Sequence, residues 1–524
     1  MACGGTAYSI MEQRSVDTLS IYTETHSANA DTSDKPDTPK DTLLRYRWMR
    51  HFFSQDVSAD NHFVIDLQRR AAWVGLALLL QSLNEVPNQL YMPYLGTFGS
   101  LIPFMLIASS FVAIWMAMRP QPQQEAAVVQ AKRPRRWQRL ILIALLAVSL
   151  VGAVEFSIAT VMSFMPPVFS NDGTSLDTNA AMLLLQGRNP YTDSNMLDLA
   201  RLFSIQPNWT TPLREGQFAN RLDYPTMPEF QSVLDTDLKS GVAVEFESKV
   251  SYPALSFLTL VPFALFKDYN VLPFYFASYL ILIAIAYNVT RPELRPWILL
   301  LGLANIPMWS SVTGGNLDIF CILLVVLAWM KREQSWWSSI LFGLALATKQ
   351  TSWYLAPFYA IMIFRHYGFK ETFYRLTVAG GLCLLLNLPF ILWNPHAWLA
   401  GILAPVADPM FPLGVGLIGL SNTHLLPYFP GWVYTGLEGG AMLLMLGWYW
   451  RICRACPEVA LLLAVIPLFF AWRSLPSYFY CAAYPIFVLM AARQPVSLKH
   501  AAIVVQVQHW FENLINPVAV QRQS

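Results

Sequence analysis

From Leu140 to Phe164 the chain runs through residues broken by a single charge, Glu155. Such a stretch has few folded solutions, because its backbone N–H and C=O groups must be satisfied where no water reaches them. One run of this kind fits a deep core helix, but here the pattern repeats. Further apolar runs fall near 72–92, 97–118, 252–267, 271–289, 297–311, 317–330, 337–364, 376–393, 432–450, 459–472 and 475–491. A soluble domain carries about 25% charged residues. This chain has 13%, with 55% hydrophobic residues and a mean hydropathy of +0.39. The reading is an all-α, polytopic transmembrane protein. A helix needs about 20 residues to cross the hydrocarbon layer, which gives roughly 11–13 crossings. Several runs are shorter than that, so half-helices or re-entrant pieces are expected, chiefly between 297 and 364.

Lys and Arg set the orientation. The loop Arg119–Arg139 holds Arg119, Lys132, Arg133, Arg135, Arg136 and Arg139, and is read as cytoplasmic. Lys331–Arg332, Arg365–Arg375 and Arg451–Arg454 join it. The large loop 166–250 after the third helix then lies outside, with 394–431 and 473–476. On this count Arg291 and Arg295 also fall outside, against the rule, unless 297–311 is re-entrant. Residues 1–70 read as a cytoplasmic, largely disordered tail, 71–491 as the transmembrane domain and 492–524 as a cytoplasmic C-terminal tail. With no cleavable leader visible, the first helix is expected to serve as an uncleaved insertion signal. A net charge of +2 offers no face for nucleic acid. Cys453 and Cys456 form a lone C-x-x-C pair, without the second pair or histidine a zinc site needs.

The residues with most chemical content follow the third helix, from Ser170 to Tyr191. Asp177 is placed to cap a short helix, Thr178 to Gln186, that Gly187 ends, and Asp172–Gly173 reads as a turn. The functional alternative is a carboxylate at the membrane surface that takes a proton from a hydroxyl. Glu155 and Asp318 lie in apolar runs and are expected to pair with Lys349 or Arg473. Lys349 otherwise reads as a cytoplasmic-side anchor at a helix break. His396, His424 and Asp408 are scattered singles, so no metal site is assigned and a divalent cation is not indicated. Trp209, Trp393, Trp398 and Trp432 suit sugar stacking or an interfacial belt equally. Within the insert, Asp223-Tyr-Pro and the acids at Asp235–Asp237 and Glu245–Glu247 read either as a cover over the site or as solvated surface.

An Asp, a short helix and then Gly187, Asn189, Pro190 and Tyr191 resemble the first external loop of the GT-C superfamily of membrane glycosyltransferases. The match is to the bacterial branch similar to family 87 mannosyltransferases. Tyr252-Pro-Ala-Leu resembles the family's Tyr-Pro-Pro-Leu, with Ala254 departing from the second Pro. Gly314-Gly-Asn-Leu-Asp318, and Gly343-Leu-Ala through Lys349 to Pro357, resemble two later motifs. This resemblance implies a sugar donor on a polyprenyl phosphate and a lipid-linked or glycan acceptor. It implies a general base at Asp177 or Asp172, and substrate contacts at Asn189, Tyr191, Tyr252 and Asn316. A phosphate-bearing donor calls for cations near the outer interface, for which Arg473 and Lys349 are the candidates. Arg473 is expected between two helices hinged at Ser474–Pro476. The implied function is inverting hexose transfer, mannose foremost, at the external face of a prokaryotic plasma membrane. A transporter or flippase of a lipid-linked saccharide is the alternative.

Overall fold

The computed structural model describes residues 49, 51–53, 62–85, 96–119, 135–166, 169, 171–203 and 205–493. Of the expected tails 1–70 and 492–524, residues 1–48, 50, 54–61 and 494–524 lie outside these. Helix α1 (His62–Asn84) opens inside the stretch read as tail. Just before it, Phe52 and Phe53 pack edge-on against Trp297, each at 5.5 Å.

The described residues are overwhelmingly helical, with two short strands. After α1 come α2 (Leu101–Met118) and α3 (Arg136–Met162), then α4 (Asp172–Leu185) and α5 (Met227–Ser240) in the large loop. The rest of the bundle is α6 (Leu272–Val289), α7 (Arg295–Leu303), α8 (Ile306–Thr313), α9 (Asp318–Met330), α10 (Ser335–Leu346) and α11 (Ala356–Tyr367). It closes with α12 (Phe369–Trp393), α13 (Pro395–Ala407), α14 (Gly431–Ile452) and α15 (Ala483–Ala491). Among the described residues four helices are long and apolar enough to cross a membrane alone, ending in α2, α3, α6 and α12. Helices α7 to α11, between 295 and 367, are short, in keeping with the broken apolar runs there. Gly343 explains one close approach: a Cβ there would stand 2.7 Å from the Ala379 carbonyl oxygen, so only glycine lets α10 and α12 touch.

One run expected to be a single helix is broken. Residues 252–267 form two helical turns, Leu255–Leu258 and Val261–Leu265, of 4 and 5 residues. Pro253 and Pro262 each remove a backbone donor and punctuate the run. A count that leaves this run out puts Arg291 and Arg295 on the same side as the other basic turns, with no re-entrant helix. The Arg291 guanidinium lies 5.6 Å over the ring of Phe63 at the start of α1, and Gln68 donates to the Glu293 carbonyl at 3.2 Å. Arg70 bonds the Ala117 carbonyl, Cys456 reaches Met118, Trp329 bonds Pro457 and Arg493 pairs with Glu458. These contacts gather the Lys/Arg-rich turns at one end of the bundle. The loop helix α4 stands at the other.

Candidate active site

Helix α4 starts earlier than the sequence pattern implies, and this corrects the role given to Asp177. Asn171 is the N-cap: its Oδ1 accepts from the Thr174 N–H at 2.8 Å. Asp172 therefore lies in the first turn, where a negative charge meets the positive end of the helix dipole. Asp177 lies inside the helix and is 1% exposed. The expected end is correct. Gly187 takes a left-handed φ of +72°, and the Arg188 N–H donates to Leu183 O at 2.9 Å, the glycine-closed cap in which Gly alone avoids a Cβ clash.

Both ends of α4 are anchored by the sequence motifs. Asn171 Nδ2 donates to Gly314 O at 2.9 Å and the Thr174 hydroxyl to Gly315 O. Asn316 accepts from the Asp318 N–H at 3.1 Å, just ahead of α9. At the other end Asn189 accepts from the Tyr191 N–H at 3.1 Å. The Tyr191 hydroxyl donates to Tyr252 O at 2.8 Å, with its ring edge-on to Phe257 and Phe390. These motif residues hold the frame around the site.

The two aspartates meet different surroundings. Asp177 Oδ1 accepts from the Ser256 hydroxyl at 2.9 Å, and its Oδ2 is buried without a partner. Burial pushes this carboxyl up to about 8 against the opposing pull of Ser256 and the Lys349 charge. Asp172 is half-buried at the edge. Burial raises its pKa too, while Thr211, the Arg473 charge and the Gly173 N–H hold it down. Tyr224 joins the same corner, where the charges of Arg473 and Asp172 both reach it.

Arg473 is not at a hinge between helices. It lies on strand β2 (Arg473–Ser474), parallel to β1 (Leu413–Gly414). Its Nη1 is buried with no hydrogen-bond partner, and among the described residues no carboxylate pairs with it. The pairing continues outward. Leu213 N–H donates to Glu245 O at 2.8 Å, Glu247 N–H to Thr211 O at 2.9 Å and Arg214 N–H to Pro409 O at 2.8 Å. The insert is thus laced, through 409–414, to the segment that carries Arg473. This ladder brings Thr211 to Asp172, a residue for which the sequence holds no signal. Ser256 is equally unmarked, although it directly follows the Tyr252-Pro-Ala-Leu motif.

Lys349 sits at a helix break, as expected, but beside the site rather than at the basic end. Its Nζ lies 2.8 Å from Asp318 Oδ1 and 5.1 Å from the centre of the Tyr252 ring. The expected pairing of Asp318 with Lys349 is present, whereas Glu155 on α3 pairs with neither cation among the described residues. Acids of the insert and of 394–431 also meet other charged groups. Asp408 binds Lys249 at 2.6 Å, and burial with Asp408 nearby lifts Glu247 to about 8. His424 faces Asp223 at 3.5 Å on the exposed surface. Trp398 donates to Asn387 at 3.2 Å, while Trp432 is exposed. Among the described residues no three His, Cys, Asp or Glu side chains group as metal ligands do.

Residues 251–476, from the Tyr252 turn through Lys349 to Arg473 and β2, match the model of glycosyltransferase family 87. The chain is a membrane glycosyltransferase. The family 87 match covers the frame and both cations but begins after α4, so the choice between the two aspartates rests on geometry. It sets the protein among transferases rather than carriers. No curated protein matches the chain, and no solved structure does.

Proposed function

We propose that the protein moves a hexose, mannose foremost, from a polyprenyl-phosphate sugar to a hydroxyl of a lipid-linked or glycan acceptor. By the rule for Lys and Arg the basic end is cytoplasmic, so transfer takes place at the external face of what the bacterial resemblance makes a prokaryotic plasma membrane. The observation that carries this reading is the meeting of Asp172 with Arg473: a half-buried carboxylate beside a guanidinium with an unsatisfied buried N–H.

In this reaction the acceptor oxygen attacks the anomeric carbon from the face opposite the phosphate. The bond from that carbon to the phosphate oxygen breaks and the configuration inverts. The acceptor proton passes to Asp172, and the polyprenyl phosphate leaves with the electron pair. Arg473 offers its free N–H to the phosphate, where negative charge grows as the bond breaks. Asp172 suits the base better than Asp177. It is reachable, and its raised pKa brings it nearer neutrality, where a general base works best. Asp177 is sealed against Ser256 and serves the frame. Lys349, neutralised by Asp318, adds to the field around the site more than it offers a free contact.

The test is transfer from polyprenyl-phosphate-mannose in proteoliposomes. Asp172→Asn is expected to lose about 10³-fold in rate, while Asp177→Asn stays within about fivefold of wild type. The reverse pattern would move the base to Asp177. A wild type that accepts no polyprenyl-phosphate sugar would overturn the donor assignment.

A further inference from the structure

Helices α11 and α14 finish side by side at the basic end of the bundle. Phe358 meets Tyr449 at 5.3 Å and Phe364 stacks on Trp450 at 5.5 Å, so the two helices run together to their last turns. There Arg454 Nε donates to the Arg365 carbonyl at 2.9 Å, and the Arg365 guanidinium lies 5.1 Å over the Trp450 ring. The charges of Arg365 and Arg454 both reach the buried Cys453. Arg451 stands exposed just before them on α14.

Neighbouring cations at this end are answered by acids. Arg375 pairs with Glu371 at 2.8 Å and Arg493 with Glu458. Around Tyr367 the charges of Arg375 and Arg332 are met by those of Glu333 and Glu371. Among the described residues no carboxylate pairs with Arg365, Arg451 or Arg454. Arg365 Nε is buried there with no hydrogen-bond partner. The helix ends offset only part of this charge. Each C-terminus carries about −0.5, so two of them cancel about one cation of the three and leave about +2.

The flanks of the cluster set its depth. Trp448, Trp450, Tyr367 and Tyr374 are exposed beside it, and Leu443 and Leu444 are exposed about two turns back along α14. Amphipathic rings settle at the level of the lipid headgroups, with aliphatic side chains in the hydrocarbon beyond. The three guanidinium groups therefore stand where phospholipid phosphates lie, and their forked N–H donors match phosphate oxygens in pairs.

We propose that Arg365, Arg451 and Arg454 bind the headgroup of an anionic phospholipid from the leaflet at the basic end of the bundle. A headgroup with two phosphates matches the residual charge best. This site lies away from α4 and goes beyond the transfer reaction. The bound lipid relieves repulsion among the three cations and gives Arg365 Nε an acceptor, so it stabilises the folded state.

The test is a titration of the full chain in detergent, read by native mass spectrometry, with diphosphatidylglycerol, phosphatidylcholine and inorganic phosphate as probes. Diphosphatidylglycerol should be retained and raise the Tm, and phosphatidylcholine should do neither. Arg451→Gln combined with Arg454→Gln should weaken retention about thirtyfold. Arg136→Gln, an exposed charge at the start of α3 in another basic turn, should leave it within about twofold. An equal loss from Arg136→Gln would mean attraction to the whole basic surface and overturn the site. No retention by the wild type would do the same. Inorganic phosphate displacing the lipid at matched concentration would make this a site for soluble anions and overturn the lipid assignment. Should the double variant fail to fold, the exposed Arg451→Gln alone decides, with an expected loss of about fivefold.

Discussion

Asp177 and Asp172 share one helix, and their surroundings give them separate signatures. In the folded protein Asp177 keeps its proton up to about pH 8, against a usual carboxyl value of 3.8. Between those values the folded state binds more protons than the unfolded one, so stability falls as pH rises through the window. Asp177→Asn removes this titration, and its Tm should gain steadily on wild type from pH 4 to about 8, then level off. A constant gap across that range would mean that Asp177 is not buried neutral. For Asp172 the sign concerns activity. A base must be unprotonated, so kcat/KM should fall as pH drops through a pKa already raised by burial. Arg473 holds that pKa down. Arg473→Gln should therefore move the acid limb to higher pH, besides weakening donor binding. An unmoved limb would separate Arg473 from Asp172.

At the scale of the element, α4 is aimed by its cap. Asp and Asn are both good N-caps, and local pattern alone does not choose between Asn171 and Asp177. The contact that decides is distant: Asn171 also reaches Gly314, and Thr174 reaches Gly315. The start that completes those bonds prevails. Asn171→Ala removes one cap bond and the tie to Gly314. It should cost about 1 kcal/mol of stability, read as a lower Tm, and should depress kcat more than KM, since Asp172 loses its placement. An equal effect on Tm with kcat untouched would make the cap merely structural.

Across the whole molecule, the Asp318–Lys349 pair ties α9 to the α10–α11 break, with side chains 6% and 8% exposed. Removing one partner of such a pair strands the other, at about 3–5 kcal/mol. Lys349→Met and Asp318→Leu should each destabilise strongly. The double replacement should recover most of the loss in thermal melts, because two apolar side chains leave no buried charge. Additive losses would show that Lys349 has a second partner the pair does not account for.

The sequence alone determined that the chain is helical and suited to a membrane, where most apolar helices lie, which turns are basic, and the motifs that resemble family 87. Each of these follows from local quantities: the transfer of apolar side chains into lipid, Lys and Arg counts in short loops, and prolines and glycines in fixed turns. Tertiary structure decided that 252–267 breaks into two short helical turns, that Asp177 is buried while Asp172 is half-buried, and that Arg473 rides a strand. It also decided that the insert is tied to the Arg473 strand, through a ladder from Glu247 by way of Thr211 and Pro409 to Ser474. Those outcomes depend on hydrogen bonds and charges between segments far apart in the chain. No window of neighbouring residues contains both partners, and helical periodicity carries no record of which distant carbonyl a side chain will find.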